Sequence, residues 1–307
     1  MRVITNENLL VTNAETGAVE TEIPKGSTIL TPEERKLRKE YADNKVNQKF
    51  FVRNECGRFF WSLYYPDKNY FADISDATLS RIIYLMTYLS YDANYLVVRS
   101  GSRYRPMFKA DVQKAVGLSE RRFDGFWAEL MATKVIQEQP DGKLVVCDRF
   151  MRGKLGKKAK RDMSAVKIFD GCVRYLYENT TTKSHRYLAY LYRLIPYINA
   201  QYNVFCSNPQ ETRRDQIKWM TAKEMCWVLG LDDSNETRVI NTLFKLRFVD
   251  VNGDERSVIT RVQNYKNGES RNYIIINPQF YQGYNVTPEE ATTLMQEFLL
   301  ERGEDND

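Results

Sequence analysis

The side chains best suited to recognising another molecule are polar residues at the start of two short amphipathic stretches. In the first stretch they are Ser119, Arg121 and Arg122. In the second they are Asn235, Arg238, Asn241 and Lys245. Arginine can grip phosphate or bind guanine through two hydrogen bonds, and polar side chains can read base edges. These residues are therefore candidates for contact with DNA, and ordinary surface charge is the alternative.

A dense run of basic residues lies between the two stretches. Residues 143–161 hold eight basic side chains against the single acid Asp148. The basic residues are Lys143, Arg149, Arg152, Lys154, Lys157, Lys158, Lys160 and Arg161. Such a run is either a solvated linker or a track for the phosphate backbone that raises affinity without sequence preference. Lys266, in the turn Lys266-Asn267-Gly268, is a further candidate.

Histidine and cysteine usage argues against catalysis and against a metal site. The one histidine, His185, lies among basic and aromatic residues and is expected to start a helix or to pack in the core. The five cysteines are isolated and odd in number, which disfavours a disulfide framework or a structural zinc site. We expect them to pack as small, reduced hydrophobic residues. The sequence therefore predicts a protein that is not an enzyme and uses no cofactor or metal.

Composition and charge indicate a folded protein with a basic body and an acidic end. Of the 307 residues, 43% are hydrophobic and 28% are charged, which suits buried cores. Residues 288–307 hold seven acids and one Arg, a charge of −6, so the remainder carries +11 of the formal total of +5. With no leader of signal type and no 18-residue apolar run, we expect a cytoplasmic protein without a membrane partner.

An internal repeat organises the chain. Residues 84–98 can be aligned with residues 191–205 at a shift of 107, and apolar positions then match apolar positions. Further blocks match at growing shifts: residues 110–136 with 223–249 at 113, and residues 144–153 with 274–283 at 130. A growing shift means that insertions separate blocks whose order is unchanged. We therefore predict two copies of one domain.

The first copy has the pattern of a winged helix-turn-helix. Apolar residues spaced by three and four between Leu79 and Leu89 predict a helix. A shorter helix over residues 109–116 ends at Gly117, and Ser119 is expected to cap a third helix. The predicted buried face of that third helix holds Phe123, Phe126, Trp127 and Leu130. Strands at 135–137 and 144–146 follow, around the turn Pro140-Asp141-Gly142-Lys143.

The second copy repeats this order. Helices are predicted over residues 222–229 and 232–246 on either side of Gly230, and strands near 258–263 and 272–276. The third helix of a winged helix enters the major groove of DNA. The polar residues named first would then lie on two recognition helices.

The flanks add smaller elements. Residues 1–30 predict a hairpin around Glu15-Thr16-Gly17, and residues 50–52 with 59–65 predict a second one. The aromatic run in the latter is expected to pack as core rather than to stack on bases. Thr31-Pro32 begins a charged helix without an apolar stripe, and Thr287-Pro288 begins a C-terminal helix with an acidic tail.

Several segments resemble a known family. They are Gly117-Leu118-Ser119 before the third helix, the block Tyr273-Ile274-Ile275-Ile276-Asn277-Pro278-Gln279-Phe280-Tyr281-Gln282-Gly283, and the opening residues 11–19. These resemble the RepL-like winged-helix replication and maintenance initiators of Gram-positive plasmids. Residues 59–89 are similar to uncharacterised members of that group, and proteins of this style also occur in phage genomes. The resemblance implies a winged-helix fold and binding of double-stranded DNA.

The expected fold class is α+β, with tandem winged helix-turn-helix domains, N-terminal β-hairpins and a C-terminal helix. Five regions are expected in chain order: N-terminal hairpins and charged helix at 1–70, winged helix 1 at 71–153, a basic linker and connecting helix at 154–180, winged helix 2 at 181–287, and an acidic helix and tail at 288–307.

The leading functional prediction is a sequence-specific double-stranded DNA-binding protein of a phage or plasmid, acting in replication initiation or transcriptional regulation. Host replication or transcription proteins are further candidate partners, and the chain would act as a monomer or a homodimer. Asp232-Asp233 opens the second recognition helix and repels phosphate, so an alternative is a phage-encoded module that binds a host protein such as RNA polymerase. A nickase with a tyrosine nucleophile is disfavoured because the chain has one histidine.

Overall fold

The computed structural model describes the following residues: 3–4, 9–12, 16, 19–24, 28–29, 35–36, 39, 43, 52–64, 71, 73–91, 93–155, 164–266, 269–283, 286 and 288–297. The chain divides into two compact units, residues 1–50 and residues 51–307. In the described part, helices alternate with several small antiparallel sheets, so the protein belongs to the α+β class as predicted.

The N-terminal unit contains four short strands: β1 (Val3–Ile4), β2 (Leu9–Thr12), β3 (Val19–Ile23) and β4 (Thr28–Ile29). β2 and β3 form an antiparallel hairpin with an irregularity between Val11 and Thr12, and β1 pairs with β4. The hairpin predicted within residues 1–30 is confirmed. The charged helix expected after Thr31 is described only at residues 35, 36, 39 and 43, which are helical.

A four-stranded antiparallel sheet lies at the centre of the second unit. Its strands, in spatial order, are β10 (Phe150–Met151), β5 (Phe59–Tyr64), β11 (Ser164–Phe169) and β16 (Tyr281–Gly283). The two inner strands pair along their full length, from Ser164 opposite Tyr64 to Phe169 opposite Phe59. Each inner strand precedes the helices of one repeat and each outer strand follows them. β5 therefore corresponds to β11, and β10 corresponds to β16. The two strands of each pair lie on opposite sides of the middle of the sheet.

The sheet corrects one prediction. Residues 50–52 were expected to pair with residues 59–65 in a hairpin, but Val52–Cys56 forms a π-helical turn. β5 instead pairs with β10 and β11, which are far away in the sequence. Its aromatic residues pack as core, as predicted: Phe60 is fully buried and Trp61 is 6% exposed. β5 is buried on both faces and pairs with strands that are distant in the sequence. The prediction of a hairpin with the residues just before it was therefore wrong.

The first repeat has the predicted elements in the predicted order, with an additional hairpin that was not predicted. Helix α1 (Asp76–Met86) leads to the hairpin β6 (Val97–Ser100) and β7 (Arg103–Pro106), then α2 (Lys109–Val116), α3 (Glu120–Thr133) and the hairpin β8 (Ile136–Glu138) and β9 (Leu144–Val146). Gly117 ends α2 with φ +64°, a left-handed conformation that glycine adopts without strain. The apolar face predicted for α3, with Phe123, Phe126, Trp127 and Leu130, is buried.

The second repeat has the same core of elements with additions. α4 (Asp170–Glu178) and α5 (His185–Leu194) precede α6 (Ala222–Val228), a 3-10 turn (Asp233–Asn235) and α7 (Glu236–Phe244). The strands are β12 (Arg247–Val249), β13 (Glu255–Ser257), β14 (Ile259–Lys266) and β15 (Glu269–Ile276). Gly230 has φ +68°, matching Gly117.

Corresponding backbone hydrogen bonds define the repeat in space. Leu96 N donates to Leu144 O in the first copy, and Phe205 N donates to Ile274 O in the second. Met107 N donates to Leu96 O, and Met220 N donates to Phe205 O, which confirms the shifts of 113 and 130. Leu96 thus corresponds to Phe205, a shift of 109 instead of the predicted 107. The second copy has two more residues between helix and strand, where the 3-10 turn Ile195–Tyr197 follows α5.

One hydrophobic core spans both repeats. α1 packs along α5, and Arg193 on α5 binds Asp76 at the start of α1 with Nε 2.8 Å from Oδ1. The same guanidinium donates to the carbonyl oxygens of Phe71 and Ile74. The beginning of α1 is therefore held in place by α5, the corresponding helix of the second repeat.

His185 starts a helix and is buried, and the five cysteines are unpaired, as predicted. His185 opens α5 and is 4% exposed, with Nε2 lying 2.9 Å from the carbonyl oxygens of Tyr177 and Thr180. Burial lowers its pKa, which keeps the ring neutral. The five thiols are free; Cys147 is half-buried and the others are buried.

The C-terminal helix α8 (Pro288–Glu297) begins where it was predicted, and the acidic tail beyond it lies outside the described residues. Across the described ranges, every helix is too short or too polar to cross a bilayer.

Candidate nucleic-acid interface

Helix α3 presents two arginines to solvent in its first turn, beside the exposed Glu120. The burial of Phe123, Phe126 and Trp127 on one side turns Arg121 and Arg122 outward, and both arginines are exposed. Neither side chain has an ion pair or hydrogen bond with another described residue. Both guanidinium groups lie in the first turn of the helix and keep all of their donors available for an anion.

The start of α1 is held against the second half of α3 by a carboxylate. Glu129 accepts hydrogen bonds from Ser75 N at 2.9 Å and from Thr78 Oγ1 at 2.6 Å. Partial burial raises the pKa of Glu129, but these hydrogen bonds outweigh burial, and the net effect is a lowered pKa.

Ser119 occupies the N-cap position of α3 and is exposed, but its side chain makes no capping hydrogen bond with the helix. Its expected capping role is therefore not seen, and its hydroxyl faces solvent.

The β8–β9 hairpin of the first repeat carries Lys143 in a local ion pair. Lys143 Nζ lies 2.6 Å from Asp141 Oδ2, and both side chains are about half exposed, at 45% and 52%. An exposed pair of this kind contributes about 0–1 kcal/mol, so an incoming phosphate can replace it. Gly142, with φ +79°, makes the tight turn between the two residues.

Sequence reasoning missed a basic hairpin between α1 and α2. β6 and β7 pair from Val97 opposite Pro106 to Ser100 opposite Arg103. Arg103 is exposed and has no partner within the described ranges, and Tyr104 is 61% exposed. Arg105 binds Asp111 through two hydrogen bonds of 2.7 and 2.8 Å. Ser100-Gly101-Ser102 between two short β-type runs was the signal that could have found this hairpin.

Arg152 is the one predicted DNA contact that the structure removes. It is 6% exposed, and its Nη2 lies 2.9 Å from both carboxylate oxygens of Asp170. Its guanidinium also donates to Thr87 O at 3.3 Å. Because the buried Arg152 guanidinium is already bound by the Asp170 carboxylate, it is not available to a phosphate. The prediction for Arg152 is therefore wrong, and its role is to join segments of the core.

The rest of the predicted basic track is only partly described. Lys154 is exposed and unpaired in the part of the chain that the structure describes. The predicted contacts at Lys157, Lys158, Lys160 and Arg161 lie outside the described residues. β11 begins at Ser164 and α4 follows it, so the second half of the predicted linker and connecting helix forms part of the shared sheet and core.

Helix α7 of the second repeat presents a row of polar side chains. Arg238, Asn241 and Lys245 are exposed, and their spacing of three and four residues puts them on one side of the helix. None of the three bonds another described side chain. Asn235 is half-buried, and its Nδ2 donates to Asp232 O at 3.1 Å, which uses one of its donors in the turn before α7.

The acidic turn that precedes α7 is partly neutralised. Asp233 Oδ2 lies 2.6 Å from Lys223 Nζ, and Trp227 Nε1 donates to Asp233 Oδ1 at 2.9 Å. These contacts lower the pKa of Asp233, with the Lys223 hydrogen bond as the main cause. Charge repulsion at this end of α7 is therefore weaker than the sequence indicates.

Lys266 ends β14 opposite Glu269 in the hairpin formed by β14 and β15.

The exposed basic and amide side chains of α3 and α7 are suited to binding an anion. Within the described ranges, His, Cys, Asp and Glu side chains form no group of three that could hold a metal ion. Free guanidinium and amide groups instead lie on exposed helix faces. No protein-family model matches the chain, and no curated protein and no solved structure is detectably similar to it.

Proposed function

We propose that the protein is a sequence-specific double-stranded DNA-binding protein built from two winged helices. The observation that carries the proposal is that α3 and α7 occupy corresponding positions in the two repeats. Each presents unpaired cationic side chains to solvent, Arg121 and Arg122 on α3 and Arg238 on α7. The same framework of hydrogen bonds, from Leu96 to Leu144 and from Phe205 to Ile274, supports both helices.

The order of elements supports the winged-helix assignment. In each repeat a helix is followed by a short extended segment, two helices around a left-handed glycine, and a hairpin that pairs back on that segment. A third helix in such a unit is suited to the major groove, and the hairpin to the neighbouring backbone. The RepL-like resemblance supports a role in replication initiation or transcriptional control in a phage or plasmid.

The central sheet supports a particular form of DNA site. Corresponding strands β5 and β11 run antiparallel side by side, so the two repeats are related approximately by a twofold rotation. Two recognition helices related in that way read half-sites of opposite direction. One chain would therefore bind an imperfect inverted repeat, and a homodimer would bind two of them.

The test is selection of bound duplexes from fragments of the source genome, followed by a mobility-shift assay across a salt series. We expect an inverted motif with fixed half-site spacing. We expect Arg121→Gln with Arg122→Gln to weaken binding about tenfold or more. The matched control is Lys134→Gln, an exposed cation at the other end of α3, about 20 Å away at 1.5 Å per residue. Absence of a shared motif, or equal loss in the control, would contradict the proposal.

A protein-interaction module is the second candidate, and Trp227 favours it. This side chain lies on α6 and is 60% exposed, with Lys223 Nζ 5.3 Å from its ring centroid. Exposed tryptophan is enriched among residues that dominate protein interfaces. Pull-down from a nuclease-treated host lysate, comparing wild type with Trp227→Ala, tests this role. A stoichiometric partner lost only in the variant would support it, and an unchanged partner profile would exclude this face.

A further inference from the structure

A cleft of about 420 Å³ opens between the start of α1 and the exposed end of α3. α1 contributes Ser75, Thr78 and Arg81, α3 contributes its basic first turn, and Thr182 and Lys183 close the third side. Ser75 caps the first turn of α1 by accepting a hydrogen bond from Thr78 N, and this turn carries the positive end of the helix dipole. Three separate segments therefore converge on one concave surface.

The charge of the cleft is strongly positive. Four cations line it, Arg81, Arg121, Arg122 and Lys183, and the one acid in its lining is Glu129. The Glu129 carboxylate is already bound by Ser75 N and Thr78 Oγ1. Within the described part of the chain, none of the four cations forms an ion pair, although Glu129 attracts Arg81 and this attraction contributes to the lowered pKa of Glu129.

Arg81 distinguishes this cleft from an ordinary basic surface. It is 8% exposed, so more than nine-tenths of the side chain is buried, yet its Nε has no hydrogen-bond partner among the described residues. Its guanidinium lies 5.4 Å from the centroid of Phe126, on the cleft side of α3. A buried cation with an unsatisfied donor is costly unless an anion completes its environment.

The second repeat lacks counterparts of Arg81, Arg121 and Arg122. At the shift of 113, Arg121 and Arg122 correspond to Ser234 and Asn235. Helix α5, which corresponds to α1, has Leu188 at the position matching Arg81 at the shift of 107. The cleft therefore has no counterpart at the equivalent place in the second repeat and is not a by-product of the shared fold.

We propose that this cleft is a phosphate-binding site, in which Arg81, Arg121, Arg122 and Lys183 hold a phosphoryl group at the start of α1. Paired guanidinium groups and a helix N-terminus are the donors that phosphate oxygens accept from most strongly. The phosphoryl group belongs either to a free small phosphorylated ligand or to the DNA backbone. The site goes beyond the proposed function because it binds a free phosphate without DNA.

Pyrophosphate titrated into the full chain at constant ionic strength, followed by calorimetry, tests the site. We expect saturable binding that weakens about tenfold or more in Arg121→Gln with Arg122→Gln, and severalfold in Lys183→Gln. The control is Arg186→Gln, an exposed cation three residues after Lys183 that does not line the cleft. Arg81→Met is informative only if it folds, so Lys183→Gln keeps the test independent of the core. Lack of saturable binding, or equal loss in the control, would overturn the proposal.

A second arm identifies the source of the phosphate. If duplex DNA and pyrophosphate exclude each other and Lys183→Gln weakens both, the group is a backbone phosphate. If pyrophosphate binds the DNA complex and Lys183→Gln leaves duplex affinity unchanged, the group comes from a free ligand. Pyrophosphate binding without any duplex binding would contradict the proposed function and leave the cleft assignment standing. Duplex binding without pyrophosphate binding would do the reverse.

Discussion

Arg152 and Asp170 form a buried ion pair at the junction of the two repeats, with Nη2 2.9 Å from both carboxylate oxygens. Arg152 follows the outer strand β10, and Asp170 opens α4. Thr87, at the end of α1, accepts a further hydrogen bond from Arg152. The pair therefore joins a sheet edge, the end of α1 and the first helix after β11.

Arg152→Met is expected to lower the free energy of unfolding by about 3–5 kcal/mol, because it leaves the buried Asp170 carboxylate without its main counterion. Urea denaturation measures this. Arg152→Met with Asp170→Leu should recover most of the loss, since both charges are then gone. Lys154→Gln, two residues along and exposed, should change stability by less than about 0.5 kcal/mol. Equal stability of Arg152→Met and Lys154→Gln would refute this role.

Gly283→Ala is expected to be strongly destabilising. A Cβ at this position in β16 would overlap the carbonyl oxygen of Ala200 and lie 2.7 Å from its carbonyl carbon, so backbone must move. Gly171→Ala is the matched control, because a Cβ there meets nothing within 4 Å and the residue lies in α4. Alanine should stabilise that helix by about 0.5–1 kcal/mol. Thermal unfolding of the two variants should therefore shift in opposite directions.

Asn241→Ala is expected to relax sequence preference at one base pair of the target by about 1–3 kcal/mol. Its carboxamide is exposed on α7 between Arg238 and Lys245. Lys245→Gln should instead weaken all duplexes similarly, since a lysine on phosphate carries no base information. Affinities for duplexes with single base-pair changes separate the two effects. Uniform weakening by Asn241→Ala would show that it does not read a base.

Arg103→Gln is expected to reduce the slope of log affinity against log salt by about 0.9, the effect of losing one phosphate contact. The exposed side chain at the tip of the β6–β7 hairpin lacks an ion-pair partner in the described part of the chain. Base preference should stay unchanged. Anisotropy titrations at several salt concentrations measure the slope, and an unchanged slope would mean that this hairpin lies away from DNA.

Lys167 should make stability rise with pH. Burial lowers the pKa of Lys167 to about 8, and its Nζ is held 2.8 Å from Gln282 Oε1 in the sheet. Below pH 8, Lys167 is charged in both the folded and the unfolded protein. Between its folded and unfolded pKa values the unfolded chain binds more protons, so raising the pH there stabilises the folded protein.

The measurement is the difference in unfolding free energy between wild type and Lys167→Met from pH 7 to pH 10.5. It should move by up to about 3 kcal/mol in favour of wild type, at 1.36 kcal/mol per pKa unit. Taking the difference removes the opposite contributions of the buried tyrosines and of the cysteines that do not interact with Lys167. Cys56 interacts with Lys167, so both variants are also compared in a Cys56→Ala background. A constant difference across this range would contradict a lowered pKa.

Local signals predicted the repeat units well. The end of α2 at Gly117, the buried face of α3 and the turn at Gly142 each depend on residues close together in the sequence. The partners of Phe59–Tyr64 lie about a hundred residues away, and a strand's pattern does not specify which distant strand it pairs with. An adjacent hairpin was therefore predicted in error.

The candidate site residues also divide into those that local sequence indicates and those that depend on contacts between distant segments. Arg152 and Lys154 are neighbours in one basic run, but only contact with Asp170 separates the buried arginine from the exposed lysine. Arg81 lies within the apolar stripe of α1, where periodicity gives no reason to choose it. Its place in the cleft depends on packing between α1 and α3, which no local pattern encodes.

The central sheet also determines when the chain can finish folding during synthesis. β5 is made early but acquires its neighbour β11 only about a hundred residues later, and β16 closes the sheet near the C-terminus. Such long-range pairing slows folding and leaves strand edges open in the meantime. The first repeat emerges from the ribosome with an unfinished sheet. The native state therefore waits for residue 283, and a chain that stops before β16 leaves β11 as an exposed edge.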